Sequence, residues 1–572
     1  MTGDALMAER LGVDDVLVVG AGPTGLTMGC ELARHGLSFR VIDQAEAPSA
    51  TSKALGVMSR TLETFEIMGI ADELVAKGVR VHGVNTYANG QRIVHLSMDE
   101  LDTRFPYVLS VPQSETERTL DQLLLRVGGR VERPVQLAGF SQDDAGVTAA
   151  VGHPDGREET VRTRWLVGCD GAHSAVRKAL RLPFEGSRYE EAFALADVRL
   201  EWDLPNDEGH GFFTPEGVVA ALPLPGGRHR LILDLTQETA EQDETEMSFD
   251  RFLAVVHARV PGKLRVSDPT WVAKFRIHRR IVRSFRVGRV FLAGDAAHIH
   301  SPIGGQGMNL GIQDSFNLAW KLALVTRESG QPILLDSYES ERHPIAAATL
   351  SGTDLATKVV TLRNPIAQAL RNQLAGFLSS LEVVQHRLTR AISGLVLNYR
   401  RSPIVAEHRA GLLDVVAGGS ASAETPGVHD WRDFGAAPAA GERAPDAAAS
   451  LAGSGAPVRL FALLRTPKHA LLLFDGGAGT AAGYRHLVEI GRRVRNRYPD
   501  LVGVYMIVPR ASPPQALHWD GPILLDPECE LHHRYGAGAE SLYLIRPDGY
   551  VGYRSQPADA EKLFAYLSTI FA

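Results

Sequence analysis

Only three cysteines stand in 572 residues, Cys30, Cys169 and Cys529, and none forms a C-x-x-C pair. That scarcity excludes a zinc ribbon and a dithiol redox centre, and it fits a reducing compartment. Cys30 and Cys169 fall in apolar contexts, where buried, inert thiols are expected. Long hydrophobic runs are also missing. No stretch reaches the ~18 apolar residues of a membrane-spanning helix. Basic excess is absent: 60 Lys and Arg face 67 Asp and Glu, a formal charge of −7. No electrostatic footprint for nucleic acid follows from that balance. The leader MTGDALMAERLGV is too short and too acidic for a secretory signal. The histidines show no ligand-like spacing with other residues, so no metal site is read. These absences leave a cytoplasmic globular protein without nucleic-acid, membrane or metal partners.

What is present is organised around DVLVVGAGPTGLTMGCELARHGLSFRVID, Asp15 to Asp43. It reads as strand, glycine turn, helix and second strand. Gly20 permits the tight turn. Gly22 lets a pyrophosphate approach the backbone, and Gly25 lets helix and strand pack closely. The helix N-terminus, beginning Pro23-Thr24, offers unpaired N–H groups and partial positive charge to phosphates. Asp43 lies roughly twenty residues on, where a carboxylate accepts from a ribose diol, with Gln44 beside it. A dinucleotide site is the reading; FAD and NAD(P) remain open at this point.

The length implies two or three domains. Ser114 and Glu117 in VPQSETE have capping-box spacing at the start of an amphipathic helix. RTRWLVGCDGAHSAVRKAL reads as a strand ending at Cys169-Asp170-Gly171, then a helix capped near Ser174. Asp170 has a plain structural reading as a helix cap. The region from Phe184 to Thr236 is β-patterned, a helix is expected near Phe249 to Ala258, and 332–408 reads as mostly helical. Ala, Gly, Pro and Ser dominate 417–457, which reads as a linker. Beyond it the order β-α-β…β-β-α is a compact α/β unit.

A second informative stretch is GRVFLAGDAAHIHSPIGGQGMN. A strand delivers Asp295, where a ribityl hydroxyl is within its reach. Gly304, Gly305 and Gly307 admit a flat ligand to the backbone, and the next helix points a positive end at it. That suits a reduced flavin, whose charge lies at its pyrimidine edge.

Gly20-x-Gly22-x-x-Gly25, Cys169-Asp170-Gly171 and Gly294-Asp295 occur in this order. With SRTLETFEIMGI, VPQSETE, IQDSFNLAWKLA and LLDSYESERHP, the chain resembles the single-component FAD-dependent aromatic hydroxylases, the class A flavoprotein monooxygenases. It is most similar to polyketide and phenol hydroxylases with a C-terminal thioredoxin-like domain. The resemblance implies an α/β fold: a Rossmann-like FAD-binding domain, an inserted β-rich substrate domain and the thioredoxin-like domain. The boundaries expected are 1–183 and 276–416 for FAD binding, with long helices in the latter. Residues 184–275, with contributions from 79–112, form the substrate domain; 417–457 is the linker and 458–572 the last domain.

By the same resemblance, Gly20, Gly22 and Gly25 cradle the FAD pyrophosphate and Asp43 binds the adenosine ribose, with Pro23, Thr24 and Gln44 also among the cofactor-binding residues. Gln113 contacts the flavin, Asp170 serves FAD and nicotinamide binding, and Asp295 takes the ribityl chain. Pro302, Gly305, Gly307, Met308 and Asn309 line the ring. Lys53 departs from the family's usual arginine and lacks the planar fork. His210, Phe212 and Phe213 are candidates for the substrate pocket. The implied activity is hydroxylation of a phenolic or polyketide substrate by a flavin C4a-hydroperoxide formed from O2, with NAD(P)H docking transiently. Baeyer–Villiger oxygenation on the same fold and a non-catalytic binding protein for planar aromatics are the alternatives. No general base is located, and a homodimer is the assembly this reading allows. In the last unit Gly477-Ala-Gly479 imitates a second dinucleotide turn, but the following strand ends in Pro509-Arg510 rather than an acid. A structural or subunit-contact role is expected for that unit.

Overall fold

The computed structural model describes residues 14–49, 54–235, 247–300, 304–360, 362, 364–379, 381–409, 411, 426–476 and 480–572. The chain divides into two compact units. The first comprises Met1–Leu62, Ile70–Phe316 and Arg342–Leu395; the second comprises Glu63–Gly69, Asn317–Glu341 and Val396–Ala572.

The first unit holds a parallel sheet. Strand Asp14–Val19 pairs with Phe39–Ile42 on one side and Glu158–Gly168 on the other, and Val290–Leu292 lies beyond Glu158–Gly168. Val16, Leu17 and Val18 are fully buried, as expected where both faces of a parallel strand are covered. Helix Pro23–Arg34 packs beside helix Gln113–Arg126, and the Cys30 thiol donates to the Leu120 carbonyl at 3.3 Å. Burial pushes the Cys30 and Cys169 thiols well above their usual range, so both are inert.

Helix Gln113–Arg126 starts one residue before the expected cap. Pro112 precedes it, no side chain caps it, and Glu117 instead accepts from Gln113 Nε2 at 2.8 Å. The capping-box reading fails because burial draws Glu117 inward. That burial also raises its pKa, against the Gln113 hydrogen bond.

A nine-stranded sheet forms the β-rich part of the same unit. The long strand Glu185–Glu201 lies between Val272–Ile281 and Arg228–Leu235. Gly217–Leu224, Glu208–Thr214, Gly83–Ala88 and Gln91–Ser97 follow in order. On one face Ala192, Ala194, Ala196, Phe212, Val219, Leu231 and Leu233 pack with Phe252 and Val256 of helix Phe249–Arg259. Side chains alternate across a strand, so Phe193, Leu195 and Phe213 point the other way.

The expected helical stretch contains helices Ile333–Val360, Pro365–Ser379 and Glu382–Ile392, but Ala406–Arg409 is a strand of the second unit. Gly394, with φ +76°, follows the last helix.

The second unit is built on an eight-stranded sheet. At its centre His469–Phe474 pairs in parallel with Val502–Val508 and antiparallel with Ser541–Ile545, which makes a hairpin with Val551–Gln556. Helices Ala481–Arg497 and Ala560–Ile570 complete the β-α-β…β-β-α order. Of the stretch read as a linker, the part from Pro426 on is among the described residues. It carries helix Val428–Ala436 and strand Ala448–Leu451, which joins this sheet. Three of its alanines, Ala440, Ala444 and Ala447, are buried, as is Phe434. Small side chains look like linker composition, yet here they allow close packing. Gly477 and Gly479 of the imitation turn lie outside the described residues.

Candidate active site

The three glycine- and aspartate-bearing motifs lie far apart in sequence, and sheet order brings them together. Strands Asp14–Val19, Glu158–Gly168 and Val290–Leu292 are parallel neighbours, with Val19 opposite Gly168 and Gly168 opposite Leu292. Gly20, Cys169 and Ala293 therefore leave the same carboxyl edge. Cys169 N donates to Val19 O at 2.8 Å and Ala293 N to Gly168 O at 3.0 Å. Ligands of open parallel sheets bind at this edge.

The first turn gives each glycine a separate role. Gly20 has φ +100°, and a Cβ there would stand 2.4 Å from the Cys169 carbonyl oxygen. A Cβ at Gly25 would come within 1.9 Å of the Gly20 carbonyl oxygen, so Gly25 admits backbone against backbone. A Cβ on Gly22 would meet nothing within 4 Å. Gly22 is also the N-cap of helix Pro23–Arg34 and supplies no capping side chain, so the helix end faces open space. Thr24 serves the protein: its carbonyl accepts from Ser315 Oγ at 2.8 Å, and its hydroxyl lies against Gly294 and Gly311.

Asp43 closes the second strand and holds the turn. Its Oδ2 accepts from Ala21 N at 2.7 Å and its Oδ1 from Ala45 N at 2.8 Å. Each oxygen keeps a further lone pair. Gln44 beside it is exposed. Arg133, which the sequence did not single out, brings Nη1 to 3.5 Å from Asp43 Oδ2 and Nη2 to 3.4 Å from the Ala21 carbonyl. Its cationic head is thus beside the glycine turn. No spacing rule marks this arginine; only the pairing of Val131–Glu132 with Val41–Ile42 puts it there.

Asp170 caps helix Ala175–Ala179 as expected. Its Oδ2 accepts from Ala175 N and Val176 N at 2.7 and 3.1 Å, while Ser174 Oγ accepts from Arg177 N. Asp170 Oδ1 is buried with no hydrogen-bond partner among the described residues. Arg177 ties two of the three motifs, donating to the Ala296 and Ala172 carbonyls at 3.0 and 2.9 Å. Gln113 turns its amide to Glu117 and to Ala54 N.

The third motif begins with Gly294 at φ +60°, where a Cβ would press on Thr24. Asp295 is exposed between buried neighbours. Gly304 and Gly305 have positive φ and lead into helix Gln306–Thr326, and a Cβ on Gly307 would meet nothing within 4 Å. Met308 is half-buried. Asn309 is buried and clips the loop: Oδ1 accepts from Met58 N at 2.9 Å, and Nδ2 donates to Gly56 O and Gly305 O. Lys53 and Pro302 lie outside the described residues.

Behind this loop Asp314 is fully buried. Its Oδ2 accepts from Gly294 N at 3.0 Å and from His298 Nε2 at 2.7 Å, and its Oδ1 from Arg342 Nε at 2.7 Å. Against burial, the Arg342 charge and the His298 hydrogen bond hold its carboxyl down at about 2. His300 Nε2 lies 2.9 Å from His298 Nδ1.

The candidate pocket residues divide. His210 and Phe212 share the face that packs on helix Phe249–Arg259, among Trp202 and Tyr87. His210 Nε2 donates to the Pro205 carbonyl at 2.8 Å, and burial lowers its pKa. Both are core residues, which corrects their reading as pocket residues. Phe213 faces the opposite side, with the Arg371 guanidinium 4.2 Å from its ring. That side also carries the stacked pair Phe193 and Phe275, 5.9 Å apart.

The site fits an extended dinucleotide cofactor. Among the described residues nothing stands within 4 Å of a Cβ built on Gly22 or Gly307, each at a helix N-terminus, and Asp170 Oδ1 and His300 Nδ1 are buried polar atoms without hydrogen-bond partners.

Comparisons agree. Residues 14–353 match a family model described as FAD binding domain, and 437–572 match one described as aromatic-ring hydroxylase, C-terminal. The chain is 36% identical to 6-methylpretetramide 4-monooxygenase of Streptomyces rimosus, over 97% of this chain and 93% of the relative. It is 32% identical to pentachlorophenol 4-monooxygenase of Sphingobium chlorophenolicum, over 94% and 93%. Among solved structures, the anhydrotetracycline hydroxylase from Streptomyces rimosus superposes with a TM-score of 0.74 at 28% identity, covering 98% of this chain and 99% of that one. A ternary complex of aklavinone-11 hydroxylase with FAD and aklavinone gives 0.73 at 26%, covering 97% and 98%.

Proposed function

Because this chain belongs to the FAD-dependent aromatic-ring hydroxylases, we propose that it hydroxylates a phenolic polycycle of the polyketide type, using O2 and NAD(P)H in the cytoplasm. The observation that carries the substrate class is the match to the 6-methylpretetramide enzyme along nearly the whole chain, both units included. The tetracycline-type and aklavinone hydroxylases among the structures support it.

FAD, when bound, supplies the redox chemistry that activates O2. The protein's part is binding and orientation. Gly20, Gly22, Gly25 and the end of helix Pro23–Arg34 receive the pyrophosphate, with Pro23 and Thr24 shaping that end. Asp43 and Gln44 receive the ribose, and Arg133 adds positive charge there. Asp170 and Asp295 serve the central part of the cofactor. Gly305, Gly307 and Met308 present backbone to the ring, while Asn309 secures their loop. The sheet face carrying Phe193, Phe213 and Phe275 offers the aromatic surface for the substrate. No Rossmann domain is assigned to NAD(P)H, which docks only transiently.

The test is a panel of polycyclic and simple phenols added to purified yellow enzyme with NADPH or NADH under 18O2. The expected outcome is ligand-stimulated NAD(P)H consumption and a ring-hydroxylated product carrying one labelled oxygen. A lactone product would replace hydroxylation with Baeyer–Villiger chemistry. Binding with no stimulation by any ligand would support the sequestering alternative.

A further inference from the structure

His300 stands between the Asp295 turn and the Gly304–Asn309 loop. Its ring is buried, 8% exposed, and its Nδ1 has no hydrogen-bond partner among the described residues. A buried acceptor left without a donor is destabilising, so such an atom calls for a partner. Its chemical character is set by the chain behind it. The ionised Asp314 can only accept, so His298 carries its proton on Nε2. Arg342 already matches the carboxylate's charge, and a second buried cation would lack a counter-charge. His298 is therefore neutral and its Nδ1 accepts. His300 must then donate from Nε2, which leaves Nδ1 as a bare lone pair. These tautomers follow from the hydrogen-bond pattern.

We propose that His300 Nδ1 is a ligand-binding acceptor, held in that tautomer by Asp314 through His298, that takes a hydrogen bond from an N–H or O–H donor in the loaded active site. Two sources share this chemistry, an N–H of the flavin and a hydroxyl of the phenolic substrate. Asp314 acts as a positioning residue: one of its oxygens holds both Gly294 N–H, at the base of the Asp295 turn, and His298. The proposal rests on the FAD assignment of the site.

Long-range 15N–1H correlation on 15N-histidine-labelled protein reads each ring's tautomer, with His298→Gln and His300→Asn supplying the assignments. The wild type is expected to show both rings neutral and protonated on Nε2 at pH 7. Addition of FAD to the apoenzyme, or of a phenol to the holoenzyme, is expected to shift the His300 Nδ1 signal; which addition does so identifies the donor. A His300 protonated on Nδ1 or on both nitrogens overturns the proposal, as does an Nδ1 signal unmoved by either addition, the result expected of a trapped water.

Substitution gives a second readout. His300→Asn keeps an acceptor near the Nδ1 position, whereas His300→Phe keeps the packing and loses the acceptor. His300→Phe is expected to weaken the responding ligand, FAD or phenol, about tenfold, the upper range for one neutral hydrogen bond, with His300→Asn staying close to wild type. The reverse order would make His300 a packing residue. A wild type that takes up no flavin would overturn the FAD assignment and this proposal together. A yellow wild type with an inert His300 overturns this proposal alone.

Discussion

Gly22 and Gly25 stand three positions apart in one motif and differ in what surrounds them. Gly22 has φ −76°, an ordinary value, and open space where a Cβ would be. Gly25 has the Gly20 carbonyl oxygen 1.9 Å away. Gly22→Ala should therefore cost the apoprotein no more than about 1 kcal/mol, the scale of an N-cap change without a clash, yet sharply reduce FAD uptake. Gly25→Ala should lower the melting temperature of the apoprotein itself. Thermal melting of both apo variants, with flavin titration of Gly22→Ala, checks the pair. Equal flavin affinity in Gly22→Ala and wild type would remove the pyrophosphate from this turn. Asp43→Ala should also weaken FAD. It removes the acceptor for Ala21 N and Ala45 N as well as any ribose contact, so a loss of tenfold or more is expected from charge-assisted bonds worth about 1.5–3 kcal/mol each. Fluorescence quenching of FAD on titration with apoprotein measures it.

Among elements, the second unit contains a cluster that hydropathy patterning conceals. Glu341 at the centre accepts from Lys321 Nζ at 2.7 Å, from Arg546 Nη1 at 2.6 Å, from Asn317 Nδ2 and from Ser402 Oγ; Asp548 also pairs with Arg546. All four charged groups are buried, two of each sign. Burial pulls the Lys321 ammonium down to about 8, against the attraction of Glu341. Arg546 and Lys321 hold Glu341 well below the usual carboxylate range although burial opposes them. Glu341→Gln leaves two buried cations against Asp548, and a loss of about 3–5 kcal/mol is expected. Adding Lys321→Met restores charge balance and should recover part of it. Urea denaturation of the two variants decides; an unchanged midpoint in Glu341→Gln would mean the cluster is open to water.

Across the whole molecule, acid should weaken both units through neutral buried histidines. Burial holds His229, in the first unit, down to about 4 and His469, in the second, down to about 3. The unfolded chain takes up protons near 6.5, while the native rings stay neutral to much lower pH. Stability is thus present above pH 6.5 and falls as pH drops, by up to ~1.4 kcal/mol per pH unit for each ring, until the folded values are reached. Asp314 adds a further loss from 3.8 down to about 2. Melting temperature should decline steadily from pH 7 to pH 5, and His469→Phe should flatten that slope. A wild-type profile without slope would show that these rings protonate in place.

The chain alone determined the local chemistry. Three glycine roles, an acid ending each nucleotide strand and a helix start at Ser174 are rules of backbone space and hydrogen bonding, satisfied within a few residues. They were legible because glycine, aspartate and serine have few other reasons to stand there. The tertiary structure decided what those residues meet. Sheet order, a non-local pairing, joined Gly20, Asp170 and Asp295 on one edge and brought Arg133 to Asp43. Which face of the strand Glu208–Thr214 is covered by helix Phe249–Arg259 assigned His210 and Phe212 to the core and Phe213 to the other side. Alternation along a strand is local, but the choice of buried face depends on what packs there. The same holds for the alanines near Ala444, where composition read as a linker and packing made a core.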